Sequence, residues 1–192
     1  MSKNFKKQVF EIIRTHRKMV TELEESGLET IADIAGAITK AIKKGATVYI
    51  CGNGGSAADA QHIAAELVNR FESGRRALPA VALTTDSSVI TSIANDYCYE
   101  SIFARQAEAL VRKDDVFWAI STSGSSPNVL AAVKVAKKKG AVVFAFTGRK
   151  NSKIERLADI CFCADNESAA RSQEVHLLAY HIICKLVEQS FA

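Results

Sequence analysis

The sequence predicts an α/β domain: a doubly wound, five-stranded parallel sheet with two extra helices at its N-terminal end. Three observations predict it. Five short apolar, β-branched runs alternate with stretches of helical period. Gly- and Ser-rich turns follow the first and third of those runs, where an open sheet of this kind binds ligands. No low-complexity linker or internal repeat divides the 192 residues, so one domain spans 1–192.

Phe5, Val9, Ile12, His16, Met19 and Leu23 recur every three or four residues, marking one face of a long amphipathic helix. His16 on this stripe reads as a packed or rim histidine. Leu28 to Lys44 repeats the pattern and ends at Gly45, a C-cap residue. The strands are Thr47–Cys51, Pro79–Leu83, Val116–Ser121, Ala141–Thr147 and Ala158–Ala164. Near-continuous apolar runs of this kind suit strands buried on both faces. Helices are expected at Ala57–Phe71, Val89–Asn95, Ser101–Val111, Asn128–Lys139 and Ile154–Leu157, with a last one at Ala169–Gln189. Residues 1–45 therefore form the N-terminal helices and 46–192 the α/β body. The apolar faces of those two helices need cover, and pairing with another subunit is favoured over packing on the body.

Composition excludes several classes. Apolar residues make up 48%, ordinary for a globular protein with a full core. The net charge of +4 is scattered and no aromatics interleave with it, so no nucleic-acid partner is expected. No stretch approaches the roughly 20 apolar residues of a membrane span, and the start lacks a signal-peptide run. A cytoplasmic protein without a membrane partner is expected. The five cysteines are odd in number and lack CxxC spacing, so they read as reduced thiols. Cys161 and Cys163 share a strand face, but no second pair completes a zinc site.

Three polar segments fall at strand ends. Gly52-Asn53-Gly54-Gly55-Ser56 follows the first strand and opens a helix. Its glycines let the backbone approach a ligand, and the helix start offers free N–H groups to an anion. A plain tight turn is the alternative. It is neither a P-loop nor a dinucleotide fingerprint. Ser121-Thr122-Ser123-Gly124-Ser125-Ser126 follows the third strand. Capping the next helix needs one hydroxyl, not five, so the excess favours a phosphate site. Asn95-Asp96 by itself reads as a turn.

His62 and Glu66 stand four apart, on one helix face. That suits a shared metal, a base beside its partner, or an exposed ion pair. In the last helix Glu174 is seven residues before His181, nearly in line, whereas Gln173 is eight before it and roughly 80° away. Spacing favours Glu174 as the neighbour of His181.

Together CGNGGSAADAQHIAAEL, ALTTDSSVITSIANDY, AISTSGSSPNV and RSQEVHLLAYH resemble the phosphoheptose isomerases, a family of SIS-domain proteins with a flavodoxin-like sheet. The resemblance covers nearly the whole chain. It implies interconversion of sedoheptulose 7-phosphate and D-glycero-D-manno-heptose 7-phosphate, the first step towards the nucleotide-activated heptose of lipopolysaccharide core or surface polysaccharide. It also implies a cytoplasmic homotetramer with one zinc ion per subunit and sites that borrow residues from neighbouring subunits. By the family's motifs His62, Glu66, Gln173 and His181 fall on metal ligands, and Glu66 and His181 on the acid/base pair. Asn53, Gly54, Gly55, Ser56, Asn95, Asp96, Ser121, Thr122, Ser123 and Ser126 fall on substrate-binding positions, joined by Glu66 and Gln173. Ser125 departs from the Asn common there. A non-catalytic SIS adaptor of the DnaA initiator shares much of this pattern but lacks the Glu66–His181 combination, so the enzyme is favoured.

Overall fold

A computed structural model describes residues 2–192. Helices α1 (Ser2–Ser26) and α2 (Leu28–Lys43) precede strand β1 (Val48–Gly52). Helix α3 (Gly55–Val68), strand β2 (Ala80–Ala82), helix α4 (Ser87–Asp96) and helix α5 (Ile102–Leu110) follow, with a 3-10 turn at Tyr99–Ser101. Then come β3 (Val116–Ser121), α6 (Pro127–Lys138), β4 (Val142–Thr147), β5 (Ile160–Cys163) and α7 (Ala169–Gln189).

The strands form one parallel sheet in the order β2-β1-β3-β4-β5. Alternation along each strand feeds two cores. Val48, Ile50, Trp118, Phe144 and Phe146 face the layer of α1, α2, α3 and α7. Tyr49, Cys51, Phe117, Ala119, Val143 and Ala145 face α5 and α6. Both faces are covered, as the apolar runs require.

Two expected features differ. Residues Ile154 to Leu157 form turns, not a helix, so β4 reaches β5 without a helical crossover. Helix α3 begins two residues earlier than expected and stops at Val68, not at Phe71. Its early stop has a tertiary cause: Arg75 donates to the carbonyls of Glu66, Leu67 and Asn69, which takes up the helix's last acceptors. Helix α1 divides along its length. Met19 and Leu23 are buried, while Phe5, Val9 and Ile12 at its outer half are at least half exposed.

Candidate active site

The strand order reverses between β1 and β3, and the two ligand turns lie side by side there. Asn53 donates from Nδ2 to Asn128 Oδ1 at 2.9 Å, and Asn128 Nδ2 donates back to Asn53 Oδ1 at 2.8 Å. The Tyr99 hydroxyl adds a third bond to Asn53 Oδ1 at 3.1 Å. Gly54 adopts φ +56°, a conformation that favours glycine. A Cβ on Gly55 would meet the Gln173 amide at 2.4 Å, so only glycine lets that side chain lie against the start of α3.

In the second turn Ser126 sits at the N-cap of α6 but its hydroxyl makes no cap bond. It bonds Ser121 Oγ at 3.0 Å instead, and Ser121 Oγ lies 3.4 Å from Ser123 Oγ. The hydroxyls thus cluster with each other and leave the helix N-terminus to another acceptor. Asn95 and Asp96 close helix α4 and do not form a separate turn; Asn95 donates to the Asp96 carboxylate at 2.9 Å.

Further along α3, His62, Glu66 and His181 come together, with one ligand atom from each lying within 4.8 Å of the others. His62 Nε2 is 3.0 Å from Glu66 Oε1, and the His62 and His181 rings meet edge to face at 4.9 Å. His181 Nε2 is buried and bonds nothing. Burial, then His62, pull the His181 pKa down, while Glu66 pulls it up, so the imidazole stays neutral at physiological pH.

His62 Nδ1 lies 2.9 Å from the Tyr180 hydroxyl, and His62 Nε2 faces Glu66 Oε1 at 3.0 Å. A neutral imidazole donates from one nitrogen and accepts at the other, so when Nδ1 donates to Tyr180 the Nε2 lone pair faces the carboxylate and a cation between them satisfies both. Burial lifts the Asp59 carboxyl to about 6. The orphaned His181 nitrogen and this facing pair fit a metal ion bound by two imidazoles and one carboxylate.

The SIS domain family model matches residues 12–148. A phosphoheptose isomerase of Aquifex aeolicus is 47% identical over 182 residues, covering 95% of each chain. This chain belongs to the phosphoheptose isomerase family of SIS-domain proteins. The relative from Nitratiruptor is 44% identical over the full length of both chains. Among solved structures, the phosphoheptose isomerase of Neisseria gonorrhoeae superimposes with a TM-score of 0.91 at 37% identity, covering 96% of this chain and 99% of its own. That of Francisella tularensis gives 0.92 at 34%, covering 95% and 97%.

Against the isomerase motifs, three of the four metal positions converge within one chain. Gln173 instead lies against Gly55, and roughly 10 Å of α3 separates that point from His62. Glu174, the neighbour that spacing favoured for His181, pairs with His16 at 2.9 Å and Arg171 at 2.5 Å. Sequence reasoning missed Asn128 and Tyr180. Each is a single polar group whose partner comes from a distant element.

Proposed function

We propose that this chain interconverts sedoheptulose 7-phosphate and D-glycero-D-manno-heptose 7-phosphate by proton transfer through an enediol. The observation that carries the reading is the meeting of Glu66 and His181, from separate helices, beside a buried imidazole nitrogen with no partner. Full-length similarity to phosphoheptose isomerases supports it, and nothing favours the adaptor alternative.

The phosphate belongs at the paired turns. Ser121, Thr122, Ser123 and Ser126 offer hydroxyls, and the starts of α3 and α6 offer backbone N–H groups and positive helix ends. Asn53, Gly54, Gly55, Ser56, Asn95, Asp96 and Gln173 contact the sugar chain. Anchoring the remote phosphate orients the reacting carbons, and that is where such a site gains rate.

At the other end Glu66 and His181 share two proton transfers, one at carbon and one at the carbonyl oxygen. A neutral His181 can take or give a proton at oxygen, and Glu66 as carboxylate can remove one from carbon; the opposite assignment uses the same two groups. Each positioned group supplies roughly 10²–10⁴ in rate. His62, Glu66 and His181 would hold one zinc ion; Gln173, the fourth ligand by the family's motifs, lies against Gly55 at the other end of α3 and would reach that ion only from a neighbouring subunit. When bound, zinc polarises the carbonyl as a Lewis acid.

The turns and the trio lie at opposite ends of α3 within one chain. A homotetramer whose subunits bring one chain's turn to another's trio closes that distance, and the uncovered Phe5, Val9 and Ile12 on α1 supply an apolar face for assembly. Among the described residues no helix is long and apolar enough to cross a membrane, which accords with cytoplasmic work on a soluble sugar phosphate.

Purified protein incubated with sedoheptulose 7-phosphate is expected to yield an aldoheptose phosphate. Glu66→Gln is expected to abolish that product while the circular dichroism spectrum stays unchanged. Product formation undiminished in Glu66→Gln rejects the acid/base assignment.

A further inference from the structure

The segment that follows α3 is held by an arrangement that loop stability alone does not call for. The Glu188 carboxylate, near the end of α7 and 2% exposed, accepts three backbone N–H bonds from consecutive residues. Phe71 N donates to Oε1 at 2.7 Å, and Glu72 N and Ser73 N donate to Oε2 at 2.7 and 2.8 Å. Arg75, its side chain fully buried, places Nε 3.5 Å from the same carboxylate. The other end of that guanidinium donates from Nη2 to the Glu66 carbonyl at 2.7 Å and from Nη1 to the Leu67 carbonyl at 2.8 Å. A buried ion pair of this kind contributes little net stability over a well-packed apolar pair. What it specifies is geometry.

Two parts of the reactive trio are within its reach. The backbone of Glu66 itself is gripped by Arg75. Phe71, whose amide is the first of the three on Glu188, lays its ring 5.5 Å from the His181 ring, tilted by 47°. We propose that Glu188 and Arg75 are positioning residues for the isomerisation: their ion pair fixes where Glu66 leaves α3 and, through Phe71, how the His181 ring is turned. This rests on the proposed function for its catalytic consequence, but the geometric part stands apart from it. The anchoring turns lie at the opposite end of α3, so the latch acts on the chemical step and leaves phosphate binding alone.

The test uses the full chain with Glu188→Gln, in which one carboxylate oxygen becomes an NH₂ that cannot accept. Expected are a fall in kcat of about tenfold with KM for sedoheptulose 7-phosphate unchanged, since misplacements on the order of 1 Å cost this much or more. In a ¹H–¹³C spectrum of the imidazoles, the His181 Cε1–H signal is expected to move while those of His16 and His176 stay. A lower melting temperature with kcat and the His181 signal both unmoved would reduce the latch to a stabilising contact and overturn the proposal. Phe71→Leu, which leaves the latch whole and keeps an apolar contact, serves if Glu188→Gln does not fold. It is expected to lower kcat and move the His181 signal, and no change in either overturns the proposal. A wild-type protein that leaves sedoheptulose 7-phosphate untouched defeats the proposed function, whereas a His181 signal indifferent to both substitutions defeats the latch.

Discussion

Asn53 and Asn128 exchange side-chain hydrogen bonds in both directions, tying the turn after β1 to the first turn of α6. Asn128 also accepts from the backbone N–H of Val129, so its amide is rigid from both sides. It is 2% exposed and leaves no room for water to replace a lost partner. Asn128→Ala is therefore expected to cost about 1–3 kcal/mol of stability, the usual penalty for stranding a buried polar partner. It also frees Asn53 to turn away from the site. Steady-state kinetics should show KM for the sugar phosphate rising about tenfold, with kcat falling less.

The hydroxyls of the β3 turn bond one another and leave the start of α6 uncapped. A phosphate that enters takes the hydroxyl bonds and the helix N-terminus together. Ser123→Ala combined with Ser126→Ala is expected to weaken sugar-phosphate binding by roughly 3–6 kcal/mol, as two bonds to a charged group are lost. Calorimetry should show the unphosphorylated ketoheptose binding equally poorly to wild type and variant. A variant that binds the phosphate ester as tightly as wild type would leave the serines as turn formers only.

Much of this was legible from residue order. Val116–Ser121 reads as a strand buried on both faces because neither face carries a charge, and the observed strand has the same ends. The last helix runs from Ala169 to Gln189 as its pattern predicts, helped by Ser168, whose hydroxyl caps Arg171 N. The pairing of His62 with Glu66 follows from one helical turn. What escaped is tertiary. The end of α3 is set by Arg75 and Glu188, and the second of these is far away in the chain. Asn128 looked like an ordinary helix-start residue because its partner Asn53 belongs to another strand's turn. Glu174 outranked Gln173 by helical angle, yet His16 on α1 claims Glu174, and periodicity within one helix cannot report a neighbour on another.

The trio offers two imidazole nitrogens and a carboxylate, a donor set that suits zinc. Dialysis against a chelator is expected to remove activity, and added zinc to restore it, with one ion bound per subunit by calorimetry. Tyr180 holds the far nitrogen of His62 at 2.9 Å. Groups in that role orient a ligand, and losing them costs roughly 10–100-fold in metal affinity. Tyr180→Phe should accordingly weaken zinc binding by about tenfold or more. Full turnover by protein shown to be metal-free would take zinc out of the reaction.

His176 gives the fold a pH dependence of its own, remote from the trio. Its ring is fully buried against Phe146 and Phe162, with Nε2 donating to the Thr147 carbonyl at 3.1 Å and Nδ1 without a partner. Burial pulls its pKa from 6.5 down to about 4, the Thr147 carbonyl only partly opposing. Between those values the unfolded chain binds a proton that the folded chain refuses, so acid favours unfolding. The stability this neutral ring supports is complete above pH 6.5 and is lost as pH falls to about 4, on the order of 3 kcal/mol. Asp59 works in the opposite sense, since burial lifts its carboxyl to about 6 and the folded chain keeps that proton longer. The wild-type slope is the net of these opposed contributions, with the lowered His181 acting in the same sense as His176. Urea unfolding followed from pH 7 to pH 4 should therefore show a loss that His176→Phe, which cannot titrate, reduces or reverses. An identical pH slope in wild type and His176→Phe would mean that the buried ring is protonated in the folded protein.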